Sequence, residues 1–262
     1  MTRDPRERFS AAAHLYHRHR PSYPPEMVDW ILEAAAVTPP ATVADIGCGT
    51  GISTRLFAER GLEVIGIDPN EEMLTLAREG GGATYRRGEA IATGLSDRSV
   101  ELVTVGQAFH WFDITGALAE MSRILRPGRR SAAFWNVRAL SSAFMREYDA
   151  LLREYSTEYA VIESHEQTGR RIVAAPGVLD PREAEFASVQ RLDREGFFGR
   201  VCSSSYVIHG VADQGGFARG LEALFERHRS GGVVDVRYRT IALCWRLATP
   251  FPGSSVRGPA TS

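Results

Sequence analysis

The sequence predicts an α/β fold: a doubly wound, mostly parallel sheet of about seven strands, the last one antiparallel, preceded by a helical cap. Two observations carry this. Between Val43 and Val137, short β-branched or apolar runs alternate with stretches of helical periodicity, the rhythm of strands joined by crossover helices. The first run leads straight into the turn Gly47-Cys48-Gly49-Thr50-Gly51, the kind of junction at which a Rossmann-like sheet passes from its first strand into its first helix.

Along the chain, TVADI (42–46) reads as the first strand and 52–60 as the first helix, followed by LEVIGI (62–67). Asp68-Pro69-Asn70-Glu71-Glu72 places a turn residue and early acids where a helix opens, and Met73, Leu74 and Ala77 give that helix its apolar positions. Gly80-Gly81-Gly82 stops it. ATYRR (83–87) and VELVTVG (100–106) are the next strands, and 113–125 is a helix carrying Ile114, Leu118, Met121 and Leu125. Arg126-Pro127-Gly128 ends that helix before the strand RSAAFWNV (130–137). Beyond residue 140 the rhythm loosens into a long helix and a polar connection reaching 182. A strand near 185–192, helices near 195–204 and 215–228, and the final strand pattern VVDVRYRTIALCWRL follow. Ahead of the sheet, Pro21, Pro24 and Pro25 separate an early helix from a second one beginning near Glu26. The expected organisation is therefore a helical cap over 1–40, lying on the sheet edge, and a main domain over 41–250. That domain carries a substrate-side insertion around 140–182, and 251–262 forms a frayed tail.

The chain has 262 residues, 44% hydrophobic and 24% charged, enough for one substantial core. Its formal net charge of −1 gives no electrostatic reason to expect nucleic acid as a partner. All its strong bases are arginines, which excludes Schiff-base and P-loop lysine chemistry. Cys48, Cys202 and Cys244 lack metal-ligand spacing, so no metal is expected, and the first ten residues contain no apolar leader core. No apolar run approaches the roughly 20 residues of a membrane span. A soluble, cytoplasmic protein is the expectation.

The chemistry concentrates at Asp45-Ile46-Gly47-Cys48-Gly49-Thr50-Gly51, with Asp68 closing the next strand. Lacking Cβ atoms, Gly47, Gly49 and Gly51 let the backbone turn sharply and bring its N–H groups against a ligand. Asp68 is placed to accept both hydroxyls of a ribose. The dinucleotide fingerprint G-x-G-x-x-G fails in either register, because its third glycine would fall on Ile52 or on Thr54.

The spacing D-x-G-x-G-x-G instead resembles motif I of class I methyltransferases, where the loop and Asp45 hold the ammonium end of an amino-acid-bearing cofactor. The matching stretches extend to Arg87-Gly88-Glu89-Ala90, to Val103 through Asp113, and to Ile124-Leu125-Arg126-Pro127-Gly128. On these motifs the chain resembles the bacterial small-molecule methyltransferases that include the ubiquinone, menaquinone and trans-aconitate enzymes. That resemblance implies S-adenosyl-L-methionine as cofactor, with Glu89 on the adenine amino group, the Ala90 backbone beside it, and Gln107 next to the methionine portion. In the cap, Tyr16 and Arg20 are expected to pair with a carboxylate of the cofactor or acceptor, while His17 and His19 face solvent.

Methyl transfer requires alignment of a nucleophile with the methyl carbon and exclusion of water. If the acceptor is a hydroxyl, His110 is the candidate general base. Trp111, Tyr23, Trp135, Arg138, Arg200 and Tyr206 are the candidate acceptor contacts. No Asn-Pro-Pro-Tyr pattern follows the fourth strand, which disfavours methylation of base or glutamine amino groups. The expected activity is methylation of a small metabolite, at oxygen in preference to nitrogen, carbon or sulfur. A non-catalytic cofactor-binding module and a nicotinamide-dependent dehydrogenase are the alternatives.

Overall fold

The structure, a computed structural model, describes residues 19–159, 165–249 and 251–252. Seven strands form one sheet in the order β3-β2-β1-β4-β5-β7-β6. They are β1 (Thr42–Ile46), β2 (Glu63–Asp68), β3 (Thr84–Arg87), β4 (Val100–Gly106), β5 (Leu125–Arg138), β6 (Val178–Leu192) and β7 (Val234–Leu247). Strands β1 to β5 pair in parallel, and β7 runs antiparallel to both β5 and β6. Chain order reverses between β1 and β4, so the crevice above their carboxyl ends is where a doubly wound sheet binds ligands.

One face of the sheet is covered by α1 (Pro25–Ala35) and α2 (Ile52–Ala58), which bury Met27, Ile31 and Phe57 against Val43, Leu102 and Phe134. The other carries α4 (Ile114–Ile124) and α6 (His165–Ala174), where Leu118, Met121 and Ile172 meet Val103, Trp135 and Trp245. Helix α3 (Glu71–Gly80) flanks β3. Its N-cap Asn70 accepts from the backbone N–H groups of Glu72 and Met73, a cap that contributes about 1 kcal/mol. A separate cluster joins α5 (Ala143–Tyr155), α7 (Arg194–Cys202), α8 (Ser205–Gly210) and α9 (Gln214–His228) around Tyr148, Phe197 and Phe225.

Four expectations change. The described end of the cap lies on a sheet face rather than its edge, because the apolar stripe of α1 finds Phe134 and Ala242 there; residues 1–18, including Tyr16 and His17, lie outside the described residues. His19 is buried, its ring against Gly199, and not solvent-facing. The polar stretch between 140 and 182 contains α6, whose Thr168 and Ile172 are buried, and β6 begins at Val178 within it. The tail starts out packed: Phe251 is 4% exposed and its ring lies over Gly177. No described helix is long and apolar enough to cross a membrane.

Candidate active site

The loop between β1 and α2 is set by its glycines. Gly47, Gly49 and Gly51 have φ of 71°, 53° and 79°, left-handed values that side chains with a Cβ adopt at a cost of about 1–2 kcal/mol. The N–H groups of Gly47 and Cys48 donate to the Ile67 carbonyl at 2.7 and 3.1 Å, tying the loop to the end of β2. Asp68 finishes the tie: its Oδ2 accepts from Gly49 N and its Oδ1 from Asn70 N, each at 2.9 Å. Burial pushes the Asp68 carboxyl above the usual carboxylate range, opposed by those two N–H donors. The loop thus presents a nearly buried carboxylate at the sheet's switch point.

Asp45 departs from expectation. Its carboxylate accepts from Ser53 Oγ at 2.8 Å, Thr54 Oγ1 at 2.7 Å and, from β4, Thr104 Oγ1 at 2.9 Å. The side chain is fully buried, and burial raises its pKa against the three hydroxyls. It faces the loop's interior and anchors β1, α2 and β4 together, rather than presenting itself to an ammonium group.

On the β3 side, Glu89 and Ala92 exchange backbone hydrogen bonds at 3.1 and 3.0 Å, a tight turn that projects Glu89, Ala90 and Ile91. Glu120 holds the turn's base, accepting from the N–H and hydroxyl of Thr93 at 2.8 and 2.6 Å. Glu89, Ala90 and Ile91, with Gly47, Trp111 and Phe112, line a cavity of about 260 Å³. Trp111 therefore belongs with Glu89 and Ala90 and not with the acceptor side: the turn Phe109–Trp111 after β4 is a 3₁₀ helix, which rotates Trp111 toward the loop. Ile91 stays 53% exposed at the rim, a large apolar side chain positioned to cover a flat ligand.

Past the end of β4, Gln107 has a φ of 55°, a strained conformation that residues adopt at functional sites. Its N–H donates to Phe134 O at 2.9 Å and its Nε2 to Asn136 O at 3.3 Å, while its Oε1 is buried with no partner. Gln107 and Arg20 open on a second cavity of about 600 Å³, lined further by Asn136, Arg138, Arg200 and Tyr206. Asn136 was not anticipated. It accepts from Thr240 Oγ1 at 2.6 Å and donates to Ser22 O at 3.1 Å, holding the residues after the described start of the chain across the strand ends. Tyr23 is largely buried, edge-on to Phe134 at 4.8 Å, with its hydroxyl over Gly106; it packs the wall rather than lining the cavity.

Trp135 and His110 also move. Strand alternation puts Trp135 on the face opposite Phe134 and Asn136, where it is 1% exposed, stacked on His165 at 6.2 Å, and lines a different cavity between α6 and the β6–β7 ribbon. His110 lies between Trp111 at 4.9 Å and His165 at 5.2 Å, lines neither of the two cavities above, and has a buried Nδ1 without a partner. Burial first, then the nearby His165 and Arg20, push its pKa down to about 3. The imidazole is neutral at physiological pH and a weaker base than the sequence suggested.

A central β1 and β4, a three-glycine left-handed loop, an acid ending β2 and an antiparallel β7 together define the class I methyltransferase architecture. Residues 44–132 match the methyltransferase domain family, and the fold around them is that of class I S-adenosylmethionine-dependent methyltransferases. An uncharacterised methyltransferase of Mycobacterium tuberculosis is 43% identical over 145 residues, 55% of this chain and 58% of that protein. A malonyl-[acyl-carrier protein] O-methyltransferase of Pectobacterium atrosepticum is 39% identical over 88 residues, 33% of this chain and 35% of the enzyme. The chain spans little more than half the length of the first of these, and less of the second. The solved structure of a candidate type II methyltransferase from Anaeromyxobacter dehalogenans superposes with a TM-score of 0.69 at 26% identity, covering 87% of this chain and 97% of that one.

The loop geometry separates two glycines. A Cβ on Gly47 falls 2.6 Å from Ala108 Cβ, whereas one on Gly49 meets nothing within 4 Å. Gly49→Ala is expected to lose only the backbone term of about 1–2 kcal/mol, and Gly47→Ala more, with weaker S-adenosylmethionine binding. Thermal melts and calorimetry check the order; a Gly47→Ala protein at least as stable as Gly49→Ala contradicts it.

Proposed function

We propose that this protein transfers the methyl group of S-adenosylmethionine to an oxygen atom of a small metabolite. The observation that carries this reading is the set of adjacent strand ends at the sheet's switch point, where β1 leads into the left-handed glycine loop, β2 ends in the buried Asp68 carboxylate tied to that loop, and β4 is followed by Gln107 with its unpartnered Oε1. These groups fit the cofactor's chemistry. Asp68 keeps lone pairs for ribose hydroxyls, the Glu89–Ile91 turn and Trp111 suit a flat adenine, and an orphaned amide oxygen suits an ammonium group, whose desolvation it offsets. When bound, the cofactor would supply a sulfonium-activated methyl group for transfer to an acceptor oxygen. The protein's own residues bind, align and exclude water.

Oxygen as the acceptor atom is supported by the O-methyltransferase relative, and the 600 Å³ cavity beyond Gln107 is of small-molecule size. With its pKa near 3 and its ring packed between Trp111 and His165 outside both cavities, His110 serves as a neutral packing group and not as the base that removes a proton. His110→Ala is accordingly expected to slow turnover less than about tenfold, short of the 10²–10⁴ expected when a general base is lost.

The test is transfer of labelled methyl from S-adenosylmethionine to panels of hydroxy, carboxy, amino and thiol metabolites, with product atoms assigned by NMR. Methyl ethers or esters are the expected products. Label found only on nitrogen, carbon or sulfur overturns the oxygen assignment, binding without transfer favours a non-catalytic module, and a melting shift with NAD alone returns the dehydrogenase reading.

A further inference from the structure

Two arginines line the 600 Å³ cavity, Arg138 half-buried and Arg200 buried, and neither pairs with a carboxylate among the described residues. Arg138 closes β5, directly opposite Tyr238 of β7, at the point where the strand's apolar run has ended. Its guanidinium donates to the Tyr206 hydroxyl at 2.7 Å and the Tyr159 hydroxyl at 2.6 Å. It also lies 4.9 to 5.6 Å from the ring centroids of Tyr148, Tyr159 and Tyr206. Its Nε is buried with no partner. Arg200, on α7, is 5% exposed and donates to the Tyr238 hydroxyl and Ser204 Oγ, each at 3.0 Å.

The acids nearby are already engaged. Asp149 accepts from the Tyr159 hydroxyl and from Arg153 Nε at 2.7 Å, and Glu166 accepts from Arg239 at 3.0 Å. Among the described residues lining the cavity, Asp149 is therefore the acid shared by Arg138 and Arg153, while Arg200 is surrounded by tyrosines. Burying guanidinium groups against neutral hydroxyls is expensive: each buried charge carries a desolvation penalty of several kcal/mol, and apolar residues of similar volume would hold the fold at least as well. Burial alone would push the Tyr206 phenol up, yet Arg138, Arg200 and the Ser204 hydroxyl together bring it down to about 8.

We infer that the methyl acceptor carries an oxyanion, a carboxylate or a phosphate, that docks on Arg138 and Arg200 while its reactive oxygen points toward Gln107. The unused Nε–H of Arg138 and the remaining guanidinium hydrogens supply charge-assisted donors. The tyrosine rings wall the anion off from water. This rests on the methyltransferase reading, because it makes the cavity the acceptor's. Arg138 and Arg200 are binding residues in this scheme and take no part in the bond exchange.

Three probes matched in shape separate charge from fit: benzoate, phenyl phosphate and the neutral benzamide, titrated by calorimetry into the full chain saturated with S-adenosylhomocysteine, so that the cofactor's own carboxylate site is filled. At least one anion is expected to bind tenfold or more tightly than benzamide, and which one does so identifies the oxyacid. Arg138→Gln and Arg200→Gln are each expected to reduce that anion to the affinity of benzamide while S-adenosylmethionine binds as before, and Arg138→Lys to keep part of the preference. Equal affinity for all three probes in the unmodified chain overturns the proposal without recourse to any variant, as does an Arg138→Gln protein with unchanged anion affinity. Loss of cofactor binding in the unmodified chain would instead defeat the methyltransferase reading and leave the anion preference to be judged by the same titration.

Discussion

Asp68→Ala is expected to weaken S-adenosylmethionine binding by about 10²-fold or more. Two losses combine. A carboxylate accepting from ribose hydroxyls makes hydrogen bonds of about 1.5–3 kcal/mol each, and every 1.4 kcal/mol is about tenfold in affinity. The same carboxylate holds Gly49 N and Asn70 N at 2.9 Å, so its removal also releases the left-handed loop and the cap of α3. Asp68→Asn separates the two contributions, because an amide keeps one oxygen as acceptor but turns the other into a donor facing an N–H group. Calorimetry with S-adenosylmethionine measures both variants. Unchanged affinity in Asp68→Ala would remove the acid from the ligand pocket altogether.

Acid lability is the second large effect. Burial first, then His165 and Arg20, hold His110 near pKa 3, and burial first, then Arg138 and Arg20, hold His165 near 4. In the unfolded chain both titrate near 6.5. Between about 6.5 and 4, therefore, the unfolded chain binds protons that the folded chain refuses, so stability at these sites is complete above 6.5 and falls as pH drops. With two such groups the slope approaches about 2.7 kcal/mol per pH unit. Asp45 and Asp68, whose pKa values burial raises, act with the opposite sign and offset part of the loss. Comparing urea midpoints at pH 7, 6 and 5 between the natural chain and a His110→Gln, His165→Asn variant cancels the carboxylate contribution. The natural chain is expected to lose stability more steeply, and parallel curves would show that the two imidazoles are not held neutral.

The glycine loop was legible in the sequence because its determinants are local. A strand, three glycines at alternate positions and an acid ending the next strand specify a left-handed turn within a short stretch of chain, and the structure forms that turn with φ values of 71°, 53° and 79°. That Gln107 follows the fourth strand was readable, whereas its left-handed backbone and orphaned oxygen were not. Asp45 was misread: that Ser53, Thr54 and Thr104 would enclose its carboxylate depends on α2 and β4 packing from both sides. Trp111 and Trp135 show the same limit, since a single 3₁₀ turn and the choice of sheet face decide which cavity each ring borders.

On the acceptor side almost nothing was local. Arg138, Tyr159, Arg200, Tyr206 and Tyr238 come from two strands, two helices and a turn, and no spacing in the chain announces that they meet. Periodicity and turn chemistry determined the elements, the sheet class and the glycine loop, because each depends on backbone preferences over a few residues. Tertiary packing alone decided which arginines meet tyrosine hydroxyls rather than a described carboxylate and which histidines are buried, because burial and charge neighbours are properties of the assembled cavity.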